Sequence, residues 1–223
     1  MAPILTTARF AVTVARLEQL PAQEGVPEVA FVGRSNAGKS TAINVLCQRR
    51  RLAFASRTPG RTQALNYFAL GPDGQPPVGF IVDTPGYGFA TAPLEIKRAW
   101  DQLAGRYLSQ RSTLAGVVLV LDMRRGLTEL DRALLAWMRP EVPLLVLLTK
   151  ADKLGHAQQA AAMRDAEAAL RALQMPNPLA LLSFSATRRI GVDEAREFIA
   201  GWLPAPAGTP HSDAILTRRN DAP

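Results

Sequence analysis

Short apolar runs of strand length alternate with helical segments along most of this 223-residue chain. Val29–Val32, Gly116–Leu121 and Pro143–Leu148 are apolar at every position, which is typical of strands that are buried on both faces of a parallel sheet. Thr41–Gln48 carries apolar residues at helical spacing, and Ala157–Leu173 is an Ala-rich helical segment. This alternation predicts an α/β fold with a mostly parallel six-stranded sheet and helices on both faces.

The other expected elements complete this pattern around one hairpin. Ala64–Leu70 and Val78–Val82 flank the Gly- and Pro-rich stretch 71–77, which predicts that they pair as a hairpin. The remaining expected elements are a buried strand over Leu179–Phe184 and helices over Leu94–Ser109, Leu127–Met138 and Val192–Trp202. We expect an N-terminal arm over residues 1–26, one folded domain over 27–203 and a disordered basic tail over 204–223.

The cysteine and histidine content excludes several kinds of site. Cys47 is the single cysteine, so the chain has neither an internal disulfide nor a cysteine-based zinc site, and it fits a reducing cytosol. His156 and His211 are far apart along the chain, which argues against a histidine metal cluster or a Ser-His-Asp triad. No apolar run reaches the ~18 residues of a membrane span. Met1–Gln19 lacks the apolar core of a secretory signal. Arg9 and Arg16, with no acid before Glu18, are a feature of transit peptides, but the segment lacks serine and its apolar positions suit packing, so an ordered arm is the favoured interpretation.

A phosphate-binding pattern lies between the first expected strand and the first expected helix. The segment Gly33-Arg-Ser-Asn-Ala-Gly-Lys-Ser40 matches G-x-x-x-x-G-K-[ST]. Its glycines let successive backbone N–H groups face a polyphosphate, and the helix N-terminus adds partial positive charge. Lys39 is expected to reach the β- and γ-phosphates, and the Ser40 hydroxyl is expected to bind Mg²⁺. A purely structural Gly-rich turn is the alternative, which the strand-then-helix setting disfavours.

Two polar tetrapeptides follow later strands. Asp83-Thr-Pro-Gly86 fits D-x-x-G, in which the carboxylate holds Mg²⁺ through water and the Gly86 N–H contacts a γ-phosphate. Thr149-Lys-Ala-Asp152 fits [NT]-K-x-D, in which the carboxylate accepts hydrogen bonds from guanine N1–H and N2–H₂, a donor pair that adenine lacks. The stem of Lys150 is expected to lie over the plane of the base. Each tetrapeptide alone is common in ordinary loops, and their order after a phosphate loop makes them specific.

Four motifs occur in the order of the GTPase consensus, each at the carboxyl end of an expected strand, where open α/β sheets bind ligands. The last is Ser185-Ala-Thr187, which would support guanine O6 through the Ala186 backbone N–H. The chain therefore resembles a translation-factor-type P-loop GTPase with the Ras-like P-loop NTPase fold. Between the first two motifs lies the Gly/Pro-rich loop Ser56–Gln63, in which Thr62 is the better of two threonines for sensing the γ-phosphate through Mg²⁺.

Longer motifs narrow this resemblance. They are Gly33-Arg-Ser-Asn-Ala-Gly-Lys-Ser40, Thr58-Pro-Gly-Arg-Thr-Gln63, Asn66-Tyr-Phe68, Pro85-Gly-Tyr-Gly-Phe-Ala90 and Asp122-Met-Arg-Arg-Gly-Leu-Thr128. These stretches resemble the EngB (YsxC/YihA) family, and the likeness covers about Phe10 to Leu203. Thr84 departs from the family, in which leucine is more common, and this change should not affect the roles of Asp83 and Gly86.

The resemblance implies a function and a set of partners. The family's members are GTP-binding proteins that act as switches in assembly of the large ribosomal subunit, and they are implied in normal bacterial growth and division or septation. The implied cofactor is Mg²⁺, and the implied partners are GTP or GDP and the large ribosomal subunit with its rRNA. A cytoplasmic monomer with no membrane association is expected. The alternative is an RNA-binding assembly factor whose nucleotide site is structural and does not hydrolyse GTP.

The expected nucleotide contacts fall into five groups along the chain. They are Gly33, Arg34, Ser35, Asn36, Ala37, Gly38, Lys39, Ser40, Gly60, Arg61, Thr62, Gln63, Ala64, Asp83, Thr84, Pro85, Gly86, Thr149, Lys150, Ala151, Asp152, Phe184, Ser185 and Ala186. Mg²⁺ is expected on Ser40 and Thr62 and, through water, on Asp83. No side chain is assigned as catalytic beyond support of phosphate charge and water by Lys39 and Thr62.

Two positions bear on the rate of hydrolysis. Tyr87 stands where small signalling GTPases have the Gln that orients the attacking water, so intrinsic hydrolysis should be slow. Asn36 lies where related K⁺-stimulated GTPases use an asparagine to help bind a monovalent cation beside the phosphates. The alternative for Asn36 is a residue chosen for the conformation of the loop.

Arginine supplies 22 of the 26 positive charges, and the net charge is +7 with a pI near 10.3. The arginine clusters lie mostly in expected loops, at Arg49–Arg51, Arg57, Arg61, Arg124–Arg125 and Arg188–Arg189. Guanidinium groups suit phosphate, so these clusters together predict an rRNA-contacting surface. Genome base composition is an alternative reason for the preference of arginine over lysine.

Overall fold

The computed structural model describes residues 4–21, 25–54, 64–88 and 101–204 of the chain. The strands in these ranges form one sheet in the order β1-β3-β4-β2-β5-β6-β7. They are β1 (Arg9–Val14), β2 (Glu28–Gly33), β3 (Leu65–Leu70), β4 (Gly79–Asp83), β5 (Leu114–Asp122), β6 (Leu144–Thr149) and β7 (Leu179–Ser183). β3 runs antiparallel to β1 and β4, and all other neighbours are parallel, which confirms the mostly parallel α/β class and the hairpin.

Helices cover both faces of this sheet, as predicted. They are α1 (Lys39–Leu46), α2 (Arg106–Gln110), α3 (Glu129–Leu135), α4 (His156–Arg171) and α5 (Val192–Gly201). α1 and α5 share one apolar layer with the sheet, whereas α2, α3 and α4 share the other. A π-helical turn, Asp101–Gly105, precedes α2. The expected helix over Leu94–Ser109 is therefore seen from residue 101 onward, and its earlier part lies outside the described residues.

The sheet has seven strands rather than the expected six, because part of the N-terminal arm forms β1. β1 pairs with β3 at the edge of the sheet, where Thr13 donates its hydroxyl to the Asn66 side-chain oxygen at 2.8 Å. Phe10 is 59% exposed, so this strand has a largely open face. An edge strand with little burial lacks the continuous apolar run by which the inner strands were predicted.

β7 is also less buried than expected. The sheet order places this strand at the opposite edge, with β6 as its neighbour. Leu179 is 45% exposed, and the other four positions of β7 are half-buried. The prediction of a buried strand was wrong on this point, because an apolar run does not say whether a strand has one neighbour or two.

A buried carboxylate ties several elements together at the end of the sheet where β2 begins. Glu28 is 1% exposed and accepts hydrogen bonds from the hydroxyls of Tyr67 (3.0 Å) and Tyr107 (2.8 Å). The Arg111 guanidinium donates to the same carboxylate at 2.6 Å and 2.9 Å, and the Thr113 hydroxyl donates at 2.9 Å. Tyr67 belongs to β3, Tyr107 belongs to α2, and Arg111 and Thr113 lie in the connection from α2 to β5, so Glu28 fixes β3 and α2 against the start of the central strand β2.

Gly191→Ala is expected to destabilise the fold by roughly 2–4 kcal/mol. Gly191 has φ +66°, and a Cβ there would collide with the carbonyl oxygen of Ser183 at the end of β7. Gly201→Ala is the matched control, because a Cβ at Gly201 meets no atom within 4 Å. Chemical denaturation of both variants measures the difference, and equal stabilities would contradict the collision.

Candidate functional site

The loop of residues 34–38 joins β2 to α1 at the carboxyl edge of the sheet. The Ala37 N–H donates to the Arg34 carbonyl oxygen at 3.1 Å and closes a turn. Gly38 has φ +103°, a left-handed conformation that a side chain would strain, directly before α1 begins at Lys39. A Cβ on Gly33 would lie 2.5 Å from the carbonyl oxygen of Val120, so β2 and β5 approach too closely there for any side chain. Glycine is thus required at position 33 by the close approach of a neighbouring strand and at position 38 by the backbone conformation.

Asn36 adopts a left-handed backbone conformation, with φ 62°. Asparagine tolerates this region better than most residues. Its exposed side chain and this φ favour the alternative that Asn36 serves the conformation of the loop. A role in binding K⁺ stays a prediction.

Lys39 and Asp83 form an ion pair at the carboxyl ends of the central strands. Lys39 begins α1 and Asp83 ends β4, and their side chains are only 10% and 7% exposed. The structure therefore brings together the cation expected to bind phosphate and the carboxylate expected to hold Mg²⁺ through water. The ammonium neutralises a buried carboxylate that would otherwise be costly to desolvate.

Thr84 and Gly86 follow β4 but differ in what they offer to a ligand. The Thr84 hydroxyl donates to the Phe31 carbonyl oxygen at 2.9 Å, and the residue is 1% exposed. Its side chain thus serves the sheet, although it was expected among the nucleotide contacts. Gly86 lies against the phosphate loop, where a Cβ would come within 3.1 Å of the Ser35 backbone.

Tyr87 fastens this segment to the phosphate loop and to α3. The Ser35 N–H donates to the Tyr87 carbonyl oxygen at 2.9 Å, and the Tyr87 N–H donates to the Gly33 carbonyl oxygen at 3.4 Å. The Tyr87 hydroxyl donates to the Asp131 carboxylate at 2.5 Å. Both side chains are buried, at 6% and 0% exposure, and burial raises the pKa of Tyr87 far above its usual range. The Tyr87 side chain is therefore neutral and committed to α3, which agrees with the expectation that it does not orient water.

Thr149, the last residue of β6, and Lys150, which follows it, contact the phosphate loop directly. The Thr149 hydroxyl oxygen lies 2.5 Å from the Ala37 carbonyl oxygen and 2.9 Å from that of Leu121. The Lys150 ammonium donates to the Asn36 carbonyl oxygen at 2.7 Å and to the Asp122 carboxylate at 2.9 Å. The base-binding motif and the phosphate loop are thus one connected unit.

Asp152 is oriented by the last strand-end motif. Its carboxylate accepts the Ser185 hydroxyl at 2.6 Å and lies 3.1 Å from the Lys153 ammonium. The Ser185 hydrogen bond, followed by that of Lys153, lowers the pKa of Asp152, so the side chain is an anion at neutral pH. Ser185 is fully buried, which fixes the direction of this bond. The contact between Ser185 and Asp152 was not predicted, because the expected role of this motif was an N–H for guanine O6.

The remaining expected contacts are backbone positions or lie outside the described residues. Phe184 is 1% exposed, and its carbonyl oxygen accepts the Ala151 N–H at 3.2 Å, which joins the two base-binding loops beside Ala186. Ala64 is buried just before β3. The expected contacts outside the described residues are Gly60, Arg61, Thr62 and Gln63.

A Mg²⁺ ion fits the donors that the described residues offer. Within these residues, no group of three or more His, Cys, Asp or Glu could hold a metal ion. Ser40 in the first turn of α1 and Asp83 supply oxygen atoms, the ligand type that Mg²⁺ prefers. Mg²⁺ in phosphate sites usually takes the rest of its shell from water and phosphate oxygens, so a small donor set is expected.

Asp122 and Asp131, to which the sequence assigns no role, lie beside the phosphate loop. A pocket of about 310 Å³ opens between residues 34–37 and the segment after β5, and Asp122 and Asp131 are among its lining residues. The pattern Thr-x-x-Asp over 128–131, a helix-capping signal, could have indicated a buried Asp131, since its carboxylate accepts the Thr128 N–H at 2.7 Å. No comparable local signal exists for Asp122.

The fold and this convergence of a phosphate loop, a D-x-x-G segment and a guanine-type base motif define a P-loop GTPase. Residues 28–150 match the family model described as 50S ribosome-binding GTPase. The chain is 50% identical over 215 residues to the probable GTP-binding protein EngB of Paraburkholderia phymatum, covering 94% of this chain and 97% of that protein. It is 48% identical over 227 residues to the probable GTP-binding protein EngB of Ralstonia nicotianae, covering 99% and 97%. The chain belongs to the EngB family of GTP-binding proteins, and it is a GTP hydrolase.

Solved structures show the same fold at lower identity. A crystal structure of a probable GTP-binding protein EngB has a TM-score of 0.55 at 23% identity and covers 78% of this chain and 97% of that chain. Era in complex with MgGDPNP and nucleotides 1506–1542 of 16S ribosomal RNA has a TM-score of 0.60 at 21% identity and covers 84% and 60%. Within the described residues, none of the helices has both the length and the apolarity needed to cross a membrane.

Proposed function

We propose that this GTPase is a nucleotide-dependent switch in assembly of the large ribosomal subunit, acting as a cytoplasmic monomer that supports bacterial growth and division or septation. One observation carries the proposal of a switch. Gly86 and Tyr87 lie directly against the phosphate loop, so a γ-phosphate would meet the D-x-x-G segment at the point where it joins that loop. The description of the matched family as ribosome-binding supports the choice of partner.

Nucleotide binding would use the groups that the strand ends bring together. The N-terminal amides of α1 and the Lys39 ammonium would hold the phosphates. Mg²⁺ would be held by Ser40, Thr62 and, through water, Asp83, and when bound it supplies positive charge beside the phosphates. Asp152 would accept the two guanine donors while Ser185 fixes its carboxylate. Residues 60–63 stay predicted contacts.

Hydrolysis by the isolated protein would be slow. Stabilising the attacking water requires an oriented polar group, and Tyr87 is held by Asp131 and is neutral. A partner would therefore have to supply or orient this group. K⁺ bound near Asn36 is a further proposed source of positive charge.

Exposed arginines offer the means of RNA contact. They are Arg49, Arg50, Arg51, Arg124, Arg125, Arg188 and Arg189. An arginine that neutralises a nucleic-acid phosphate releases counterions, so binding through these groups would weaken steeply with salt. Arg57 and Arg61 lie outside the described residues.

The switch predicts that purified large ribosomal subunits pellet more of this protein with a non-hydrolysable GTP analogue than with GDP. Arg50→Ala combined with Arg51→Ala is expected to weaken pelleting and to reduce the slope of log affinity against log salt by about 1–2. The same measurement on Arg164→Ala with Arg171→Ala, two exposed positions of α4, controls for the loss of two charges.

Each outcome separates this proposal from its alternative. Equal pelleting in both nucleotides would reject the switch. Equal pelleting together with no phosphate release would favour an RNA-binding factor whose nucleotide site is structural.

A further inference from the structure

Asp122 is a buried acid in a motif to which the proposed function gives no task. It is the last residue of β5 and stands opposite Thr149 of β6 in the parallel register. Its side chain is 7% exposed and lies beside Lys150. A buried carboxylate in such a place needs partners, and the identity of those partners indicates what the residue does.

Two cations share the Asp122 carboxylate. The Arg124 guanidinium donates to one oxygen from Nε at 2.9 Å and to the other from Nη2 at 2.6 Å, and the Arg124 backbone N–H adds a bond at 3.1 Å. The Lys150 ammonium donates to the second oxygen at 2.9 Å. These bonds hold the pKa of Asp122 well below its usual range, and the bond from the Arg124 side chain has the largest effect. Asp122 is therefore charged at neutral pH.

The contact with Lys150 constrains the nucleotide site. The ammonium is held between Asp122 and the Asn36 carbonyl oxygen, while the Lys150 backbone adopts φ 61°. The aliphatic stem of Lys150, which joins the held ammonium to the backbone, thus has few rotamers left to it. Long side chains lose considerable rotamer entropy when a ligand immobilises them, so a stem that is fixed beforehand binds at lower cost.

We propose that Asp122 is a positioning residue for the nucleotide, which holds the Lys150 ammonium against the phosphate loop so that the lysine stem is fixed over the guanine base. It would set the affinity for GDP and GTP alike without reading the base. This inference rests on the proposed assignment of Lys150 and Asp152 to the base.

Asp122→Asn removes the charge while keeping the size of the side chain. GDP and GTP are each expected to bind about tenfold more weakly by calorimetry, since the Lys150 ammonium loses its anionic partner and keeps only a hydrogen bond to a neutral amide. The ratio of GDP to XDP affinity is expected to stay unchanged. Asp73→Asn is the matched control, because Asp73 also pairs with an arginine, Arg9, but is 97% exposed on the turn between β3 and β4. That variant should bind both nucleotides like the native chain.

A double-mutant cycle tests whether Asp122 acts through Lys150. Lys150→Met keeps an apolar stem and removes the ammonium, so adding Asp122→Asn to it should change GDP affinity less than about twofold. Arg124→Ala leaves the contact between Asp122 and Lys150 in place and should change affinity less than about threefold. An equal loss in both backgrounds, or no loss in the native chain, would overturn the proposal. Asp122→Glu, which keeps the charge and shifts the carboxylate, replaces Asp122→Asn in the cycle if that variant does not fold.

The base assignment is tested separately. If Asp152→Asn changes base preference but Asp122→Asn has no effect, only the positioning role is rejected. If Asp152→Asn leaves base preference unchanged, the assignment on which that role rests is rejected.

Discussion

Asp152→Asn is expected to change the preferred nucleotide from GDP to XDP, by as much as roughly 10⁴-fold in the ratio of their affinities. The carboxylate would accept guanine N1–H and N2–H₂, whereas xanthine carries a carbonyl group in place of the N2 amine. An asparagine amide can accept the N1–H and donate to that carbonyl. The discrimination is large because a mismatched pair would leave buried polar groups without partners.

The surroundings of Asp152 tolerate this change. The Ser185 hydroxyl now donates to the carboxylate at 2.6 Å and can donate equally to an amide oxygen. Lys153 would lose an anionic neighbour, but its side chain is 60% exposed and can turn to solvent. The variant should therefore fold normally, and any change in binding reports on the base.

Calorimetry with GDP, XDP and ADP measures the preference. Asp165→Asn on the exposed side of α4 controls for the loss of one carboxylate and should leave all three affinities unchanged. Comparable affinities of the native chain for ADP and GDP would show that Asp152 does not select the base. A variant that loses GDP without gaining XDP would show that the carboxylate has another task.

The parts of the site that the sequence predicted are those in which function imposes a fixed local pattern. The segment over 33–38 needs Gly33 for the close approach of β5 and Gly38 for a left-handed backbone, so both residues are visible as a motif. The inner strands β2, β5 and β6 carry continuous apolar runs over Val29–Val32, Leu114–Leu121 and Leu144–Leu148, because both of their faces are covered. Both kinds of pattern are local in the sequence, so they can be recognised without knowing which residues become neighbours in the fold.

The parts that escaped prediction depend on pairs that are distant in sequence. The hydrogen bond from Tyr87 to Asp131 spans 44 residues, and that from Lys150 to Asp122 spans 28. Neither spacing follows from helical or strand periodicity, because it depends on which strands become neighbours. The same limit explains why β1 was expected as part of an arm, since its partner β3 lies more than fifty residues away.

Lys39→Ala is expected to weaken GTP and GDP binding on the order of 10²-fold and also to destabilise the nucleotide-free protein. The first effect is the loss of a cation that would form charge-assisted bonds to two phosphates. The second arises because Lys39 is the ion-pair partner of Asp83, and both side chains are largely buried. Removing one partner of a buried pair typically costs about 3–5 kcal/mol, since the remaining charge is left uncompensated.

A second substitution separates these two effects. Adding Asp83→Asn to Lys39→Ala replaces the unpaired carboxylate by a neutral amide, so most of the lost stability should return. Nucleotide affinity should not return, because the ammonium is still missing. Thermal unfolding without nucleotide and calorimetry with GDP measure the two quantities independently. If the double variant is no more stable than Lys39→Ala, the ion pair does not stabilise the free protein, and if Lys39→Ala hydrolyses GTP at the native rate, Lys39 does not bind the phosphates.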